Sequence, residues 1–237
     1  MTTFTKLTLG LLATSSIAFA GVEAHWDYGQ HGPEHWGHFS ETCEKGKEQS
    51  PINIQTEKTL QLDKSYTVKL SEAYDGVSTV IDNGHSLKVT PHDAGYITLH
   101  GKDYKLQQFH FHGMSEHTID GRRYNAVMHM VHSAKDGSIA VVAVLFEVGE
   151  ENPALAKILN ADGSVKVNPN DLLPEDTDHY YHYKGSFTTP PCTENVQWYI
   201  FKDTVNISKA QLKKLRKYYT NNERPTQPLN KRVVQTK

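Results

Sequence analysis

The stretch QQFHFHGMSEH, residues 107–117, sets His110 and His112 one residue apart in a run that otherwise reads as a strand. Side chains at i and i+2 of a strand leave the same face. The two imidazoles therefore project together with Gln108, while Phe109 and Phe111 face the other way. Two imidazoles about 7 Å apart at their Cα atoms can hold one ion between them. A catalytic zinc site takes three protein ligands and leaves the fourth position to water. The third ligand is open at this level. His129 and His132 on the next apolar run lie three apart, hence on opposite faces, and an antiparallel pairing can bring either one alongside. His117 and His100 are also near in sequence. The competing reading of the same letters is surface histidines alternating with buried aromatics.

Such ligands need a rigid sheet beneath them, and the surrounding pattern supplies one. Short alternating runs at 66–70 (YTVKL) and 85–90 (HSLKVT) are separated by AYDG and DNGH turn signals. Residues 96–112 (YITLHGKDYKLQQFHFH) read as strand, Gly-Lys-Asp turn and long strand. Two more strands, 124–134 and 138–148, are joined at Lys135-Asp136-Gly137. The second is an almost unbroken apolar run, as expected of a strand buried on both faces. Helices are few. NPALAKILN has Asn152 as its N-cap and Pro153 at the first helical position. SKAQLKKLRKYY has Ser208 as its cap and Leu212, Leu215 and Tyr219 on one face, its basic residues forming the solvated face. The stretches HWDYGQHGPEHWGH and GKEQSPINI show no period and read as an irregular segment wrapped on the domain, with a short strand near Ile52–Ile54. The tail NNERPTQPLNKR reads as ordered and extended. The expected fold is mainly β with a few short helices (α+β), a single domain around a large, mostly antiparallel twisted central sheet.

The chain has 237 residues, a length that β-rich domains reach undivided. With 25 Lys+Arg against 27 Asp+Glu, no strong field points to nucleic acid or an anionic membrane. Lys6 is the only charge before Glu23, and a short apolar run ends in Ala18-Phe19-Ala20. That is the pattern of a cleaved signal peptide, too short to span a bilayer. Residues 1–20 are expected to be removed on export, leaving 21–237 as one catalytic domain without a membrane span, in the periplasm or outside the cell. Cys43 and Cys192 are the only cysteines, and in an oxidising compartment they are expected to pair.

Several motifs in one order carry a family resemblance. QFHFH, SEHTIDGRRY and GSFTTPPCTE, together with HWDYG…GPEHW, QSPINI and RPTQPLN, resemble the α-class carbonic anhydrases over essentially the whole chain after the signal. The resemblance implies His110, His112 and His129 as ligands of one Zn2+ per chain, which leaves His132 on the outer side of its strand. It implies reversible hydration of carbon dioxide to bicarbonate and a proton through attack of zinc-bound hydroxide. A small substrate is thus the expected partner, not nucleic acid. Weak esterase activity is a side reaction of the same hydroxide. A non-catalytic, carbonic-anhydrase-like binding module is the alternative, but such relatives typically lack a ligand histidine and none is missing here. Exported bacterial relatives often dimerise, so a homodimer stays open.

By the same resemblance, Val131, Val141, Phe187, Val196 and Trp198 form an apolar wall for carbon dioxide. Thr188 accepts the hydroxide's proton and passes its own to Glu116, and Thr189 helps place bicarbonate. His85, after the Asn-Gly turn, matches the proton shuttle, a role suited to a pKa near 6.5; Tyr28, Asn83 and Gln108 order the water path. Gln108 backs His110 and the carbonyl of Asn222 backs His112, while His117 reads as structural. The chain departs from the family at Val127, where a glutamate usually backs the third histidine. Loss of such a partner weakens metal binding by ~10–100-fold. Gly113, where many relatives carry tryptophan, is expected to loosen the packing behind the site.

Overall fold

The computed structural model describes residues 25–62, 67–68, 71, 76–219 and 221–237. The signal peptide expected at residues 1–20 lies outside these residues, as does most of the strand expected at 66–70. Among the described residues, eleven strands form one sheet. In chain order they are β1 (Leu60–Gln61), β2 (Val77–Asp82), β3 (Leu87–Pro91), β4 (Tyr96–Leu99), β5 (Lys102–His112), β6 (Ala126–Ala134), β7 (Ile139–Val148), β8 (Ser164–Lys166), β9 (Tyr180–Ser186), β10 (Glu194–Ile207) and β11 (Gln235–Thr236). Their order across the sheet is β8-β2-β3-β5-β6-β7-β10-β9-β11-β1, with β4 added to β5. All pairs are antiparallel except β7 with β10 and β11 with β1. The sheet is mostly antiparallel, as the turn-separated runs imply.

Alternation along the central strands divides the buried residues into two cores. Met128 and Met130 of β6, Val142, Val144 and Phe146 of β7, and Tyr199 and Phe201 of β10 join Phe109 and Phe111 on one face. There α2 (Pro153–Leu159) and α3 (Lys209–Tyr218) cover them through Leu155, Ile158, Leu212 and Leu215. Val127 and Val131, Val141 and Ala143, and Val196 and Trp198 occupy the opposite face. Strand β7 is therefore buried on both sides. Both long helices start as their sequences indicate: Asn152 Oδ1 accepts from Leu155 N–H, and Ser208 with Gln211 forms a reciprocal capping box.

Four strands carry no clear period in sequence: β2, β8, β9 and β10. The chemistry of β9, with Tyr180, Tyr181, His182 and Tyr183 in succession, hides its burial because polar-tipped aromatics score as half-exposed. The N-terminal segment is also more regular than its letters suggest, with a 3-10 turn at Pro33–His38 and the short helix α1 (Glu41–Lys45). Cys43 of α1 is bonded to Cys192, 149 residues further on. Around that bond Trp36 packs with Trp26, Tyr28 and Phe39, which fastens the N-terminal segment to the loop after β9.

Candidate metal centre and active site

One irregularity in β5 decides what faces the site. Leu106 pairs with His132, but Gln108 pairs with Val131, so a bulge lies between them. A bulge resets the alternation of its strand. Tyr104 and Leu106 point into the helix-covered core, whereas Gln108, His110 and His112 point to the other face. Beyond the bulge His110 pairs directly with His129. The three imidazoles each present one nitrogen, and these nitrogens lie within 4.8 Å of one another. His132 sits on the opposite face; it is not an outer, solvent-facing residue but is fully buried, its Nδ1–H donating to the carbonyl of Met130. His100, on the turn before β5, is not part of the group.

Hydrogen bonds at the far side of two of the rings fix which nitrogen is free. His110 Nδ1–H donates to Gln108 Oε1 at 2.9 Å, and His112 Nδ1–H donates to the carbonyl of Asn222 at 2.6 Å. Both rings therefore offer Nε2. His112 Nε2 is buried without a protein partner and lies 3.6 Å from Glu116 Oε2. His129 Nδ1 lies 3.7 Å from the same carboxylate oxygen, which puts Nδ1 of this ring on the side where the group converges. Burial holds His110 and His129 well below the usual histidine range, with His112 beside them adding to the effect. Neutral imidazoles keep their lone pairs, and three of them without a carboxylate in the set fit a zinc ion.

The cleft above the histidines has two unlike flanks. One compartment, about 290 Å³, is lined by Val131, Val141, Phe187, Trp198 and Pro190–Pro191, with Thr188 at its edge. Val196 belongs to the same apolar cluster but lies behind this lining. The other compartment, about 150 Å³, is lined by Trp26, Tyr28, Asn83, His85, Ser86 and Lys88. Gln108, His110 and Thr189 line both and form the seam.

On the polar flank, Asn83 Oδ1 caps the turn by accepting from the backbone N–H groups of His85 and Ser86. The His85 ring stacks on Trp26 with centroids 3.7 Å apart, and its Nε2 lies 2.9 Å from Nε2 of His25. Tyr28 contacts Trp26 and Trp36 edge-on. At the seam, Thr188 is buried, yet no hydrogen bond joins it to Glu116 among the described residues. Glu116 Oε1 instead accepts the backbone N–H of Arg224, and its Oε2 faces the two imidazoles.

Several contributors have no signature in the sequence. Asn222 serves with its side chain as well as its carbonyl: Nδ2 donates to the carbonyls of His85 and Phe111, and Oδ1 accepts from Gly113 N–H. It thus ties the His85 turn to the end of β5. Arg224, only 2 % exposed, donates to Gln49, Ser50 and Cys43 and holds the N-terminal segment against the floor. Gly113 does not loosen the packing. A Cβ there would lie 2.9 Å from the carbonyl of Tyr219, because the end of α3 closes on it and Arg216 Nε donates to its carbonyl. A void of about 10 Å³ lies nearby.

Comparisons with known proteins point to one family. The family described as eukaryotic-type carbonic anhydrase matches residues 31–237. A carbonic anhydrase of Klebsiella pneumoniae is 43% identical, covering 97% of this chain and 99% of its own length. The α-carbonic anhydrase of Thermovibrio ammonificans, solved with the inhibitor sulfanilamide, superposes with a TM-score of 0.84 at 43% identity, over 90% of this chain and 99% of that one. Dioscorin DB3L of Dioscorea polystachya is 35% identical over 86% of this chain and 81% of its own length.

Proposed function

The chain belongs to the eukaryotic-type carbonic anhydrase family, the α class, and is an enzyme of that kind; we propose that it hydrates carbon dioxide at one zinc ion held by His110 Nε2, His112 Nε2 and His129 Nδ1. The observation that carries the reading is the convergence of three imidazoles at the seam between an apolar and a polar compartment. When bound, zinc supplies a Lewis acid that brings the pKa of water from 15.7 down to about 7.

The chain's own residues do the rest. Val131, Val141, Phe187 and Trp198 exclude water and accept a substrate that has neither charge nor dipole. Val196 supports that wall from behind. The Thr188 hydroxyl accepts a hydrogen bond from the attacking water and orients its lone pair, and Glu116 is the acceptor to which its own hydrogen would pass. The backbone of Thr189 helps place the bicarbonate. His85 takes up the proton delivered across the polar compartment, where Tyr28, Asn83 and Gln108 order its path, and hands it outward to His25. Slow ester hydrolysis follows from the same chemistry. Export to the periplasm is supported by the Cys43–Cys192 bond, which needs an oxidising compartment.

Zinc content per chain, followed by stopped-flow carbon dioxide hydration with and without a chelator, tests the reading. One zinc per chain and a chelator-sensitive rate are expected. A metal-free protein as purified from its native host, or a zinc-loaded one without hydration, overturns it; the latter result would favour a binding module.

A further inference from the structure

His129 differs from the other two ligands in its outer nitrogen. Those of His110 and His112 each have an oxygen acceptor, but His129 Nε2 is buried and has no partner in the protein. Val127, two residues before it on the same strand face, is fully buried and offers only methyl groups. With Nδ1 turned to the metal, Nε2 carries the hydrogen, and a buried N–H left unmet is costly.

A second buried nitrogen in this neighbourhood also lacks a partner: Nδ1 of His117. The His117 and His129 rings stand edge-on with centroids 6.2 Å apart, and both pack on Trp198, at 4.7 and 4.9 Å. Behind His117 runs an ordered chain. His117 Nε2 lies 2.6 Å from Tyr183 Oη, and Tyr183 Oη lies 2.7 Å from Ser50 Oγ. Ser50 Oγ accepts the backbone N–H of Ser186 at 3.0 Å and sits so close to Gly185 that a Cβ there would meet it at 2.1 Å. Of the two partners of Ser50 Oγ, only Tyr183 Oη can accept its hydrogen. Tyr183 then gives its own to His117 Nε2. A neutral His117 is left with its hydrogen on Nδ1.

Two N–H donors thus belong to facing rings, and neither can accept from the other. We propose that His117 is the positioning residue for the third metal ligand: a single buried water accepts from His129 Nε2–H and His117 Nδ1–H, beside the methyl groups of Val127. A water oxygen has the two lone pairs this needs, and valine leaves more room than glutamate. The Ser50–Tyr183–His117 chain fixes the tautomer of His117, and through the water it fixes the orientation of His129. The proposal rests on the zinc reading above, and the test separates the two.

Zinc content comes first, since a chain without zinc overturns the zinc reading and this proposal with it. Zinc loss to a chelator is then timed for the zinc-loaded wild type, His117→Phe, Val127→Glu and the double variant. His117→Phe is expected to lose zinc about tenfold faster, within the ~10–100-fold typical of outer ligand partners. Val127→Glu is expected to hold zinc longer than the wild type, and the double variant to stay slow, because the carboxylate takes the His129 hydrogen directly. Zinc present but lost from His117→Phe at the wild-type rate overturns this proposal alone. Nitrogen-15 spectra of the wild-type imidazoles need no variant: both His117 Nδ1 and His129 Nε2 should carry hydrogens. A His117 protonated at Nε2 instead overturns the relay.

Discussion

The two flanks of the cleft are built by different means. The apolar flank rests on strand residues, Val131 from β6, Val141 from β7 and Trp198 from β10, which lie on one rung across three neighbouring strands, with Phe187 and Pro190–Pro191 of the loop before β10 closing it. The polar flank is made largely of turn and terminal residues, Trp26, Tyr28, Asn83 and His85, set beside Lys88 of β3. These are held by side-chain contacts with distant parts of the chain, through Asn222, Arg224 and the Cys43–Cys192 bond. The contrast teaches that substrate binding is tied to the most buried part of the fold. Proton export is tied to its adjustable surface. Damage to one flank should leave the other working.

Filling the apolar flank should have the largest effect. Val141→Phe places a ring where substrate must sit, and kcat/KM for hydration is expected to fall about 100-fold or more, on the scale of geometric misplacement. Overpacking should cost about 1–3 kcal/mol of stability. Zinc content should hold, since Val141 touches the wall and not the far side of any ligand. A variant with full kcat/KM would remove the apolar flank from substrate binding.

The opposite signature is expected from His85→Ala. In weak buffer kcat should drop about tenfold, less than the ~10²–10⁴-fold usual for a proton-transfer group, because water and buffer substitute in part. The value of kcat/KM should stay unchanged, and added imidazole should restore kcat. Equal losses in both constants would show that the flanks are not independent.

Replacing both cysteines by serine sharpens the contrast from the side of stability. The closed loop of about 150 residues contributes up to ~5 kcal/mol in chain-entropy terms. Denaturant unfolding should show a loss of a few kcal/mol. Because the bond fastens Trp26 and Tyr28 through the Trp36 cluster, kcat in weak buffer should fall a few-fold while kcat/KM and zinc content persist.

The smallest effect concerns pH. Burial against Trp26 lowers the His85 pKa below 6.5, and His25 adds to this while Asp27 and Asp82 oppose it. The shuttle accepts a proton only when neutral. Weak-buffer kcat should therefore be high above a midpoint that lies below 6.5 and be lost as pH falls through it. His25→Ala should move that midpoint upward. A downward move would contradict the electrostatic account.

How much of this was legible in the letters follows from the range over which each feature is decided. The pairing of His110 with His112, the opposite facing of Phe109 and Phe111, the helix caps at Asn152 and Ser208 and the double burial of β7 depend on alternation or on neighbours within a few residues. The amino-acid sequence by itself determined them. Family motifs then narrowed the third ligand to His129 and marked Val127 as a departure. What only the tertiary structure decided depends on register between strands distant in the chain. The bulge before Gln108 turned three residues to the site, and the β5–β6 register set His129 opposite His110 and His132 opposite Leu106. Strand β9, hidden by its tyrosines, delivered Tyr183 to His117. The reason is physical. Local pattern fixes which way a side chain leaves its own strand, whereas the partner of a buried imidazole nitrogen is chosen by packing between segments that the sequence keeps up to 110 residues apart.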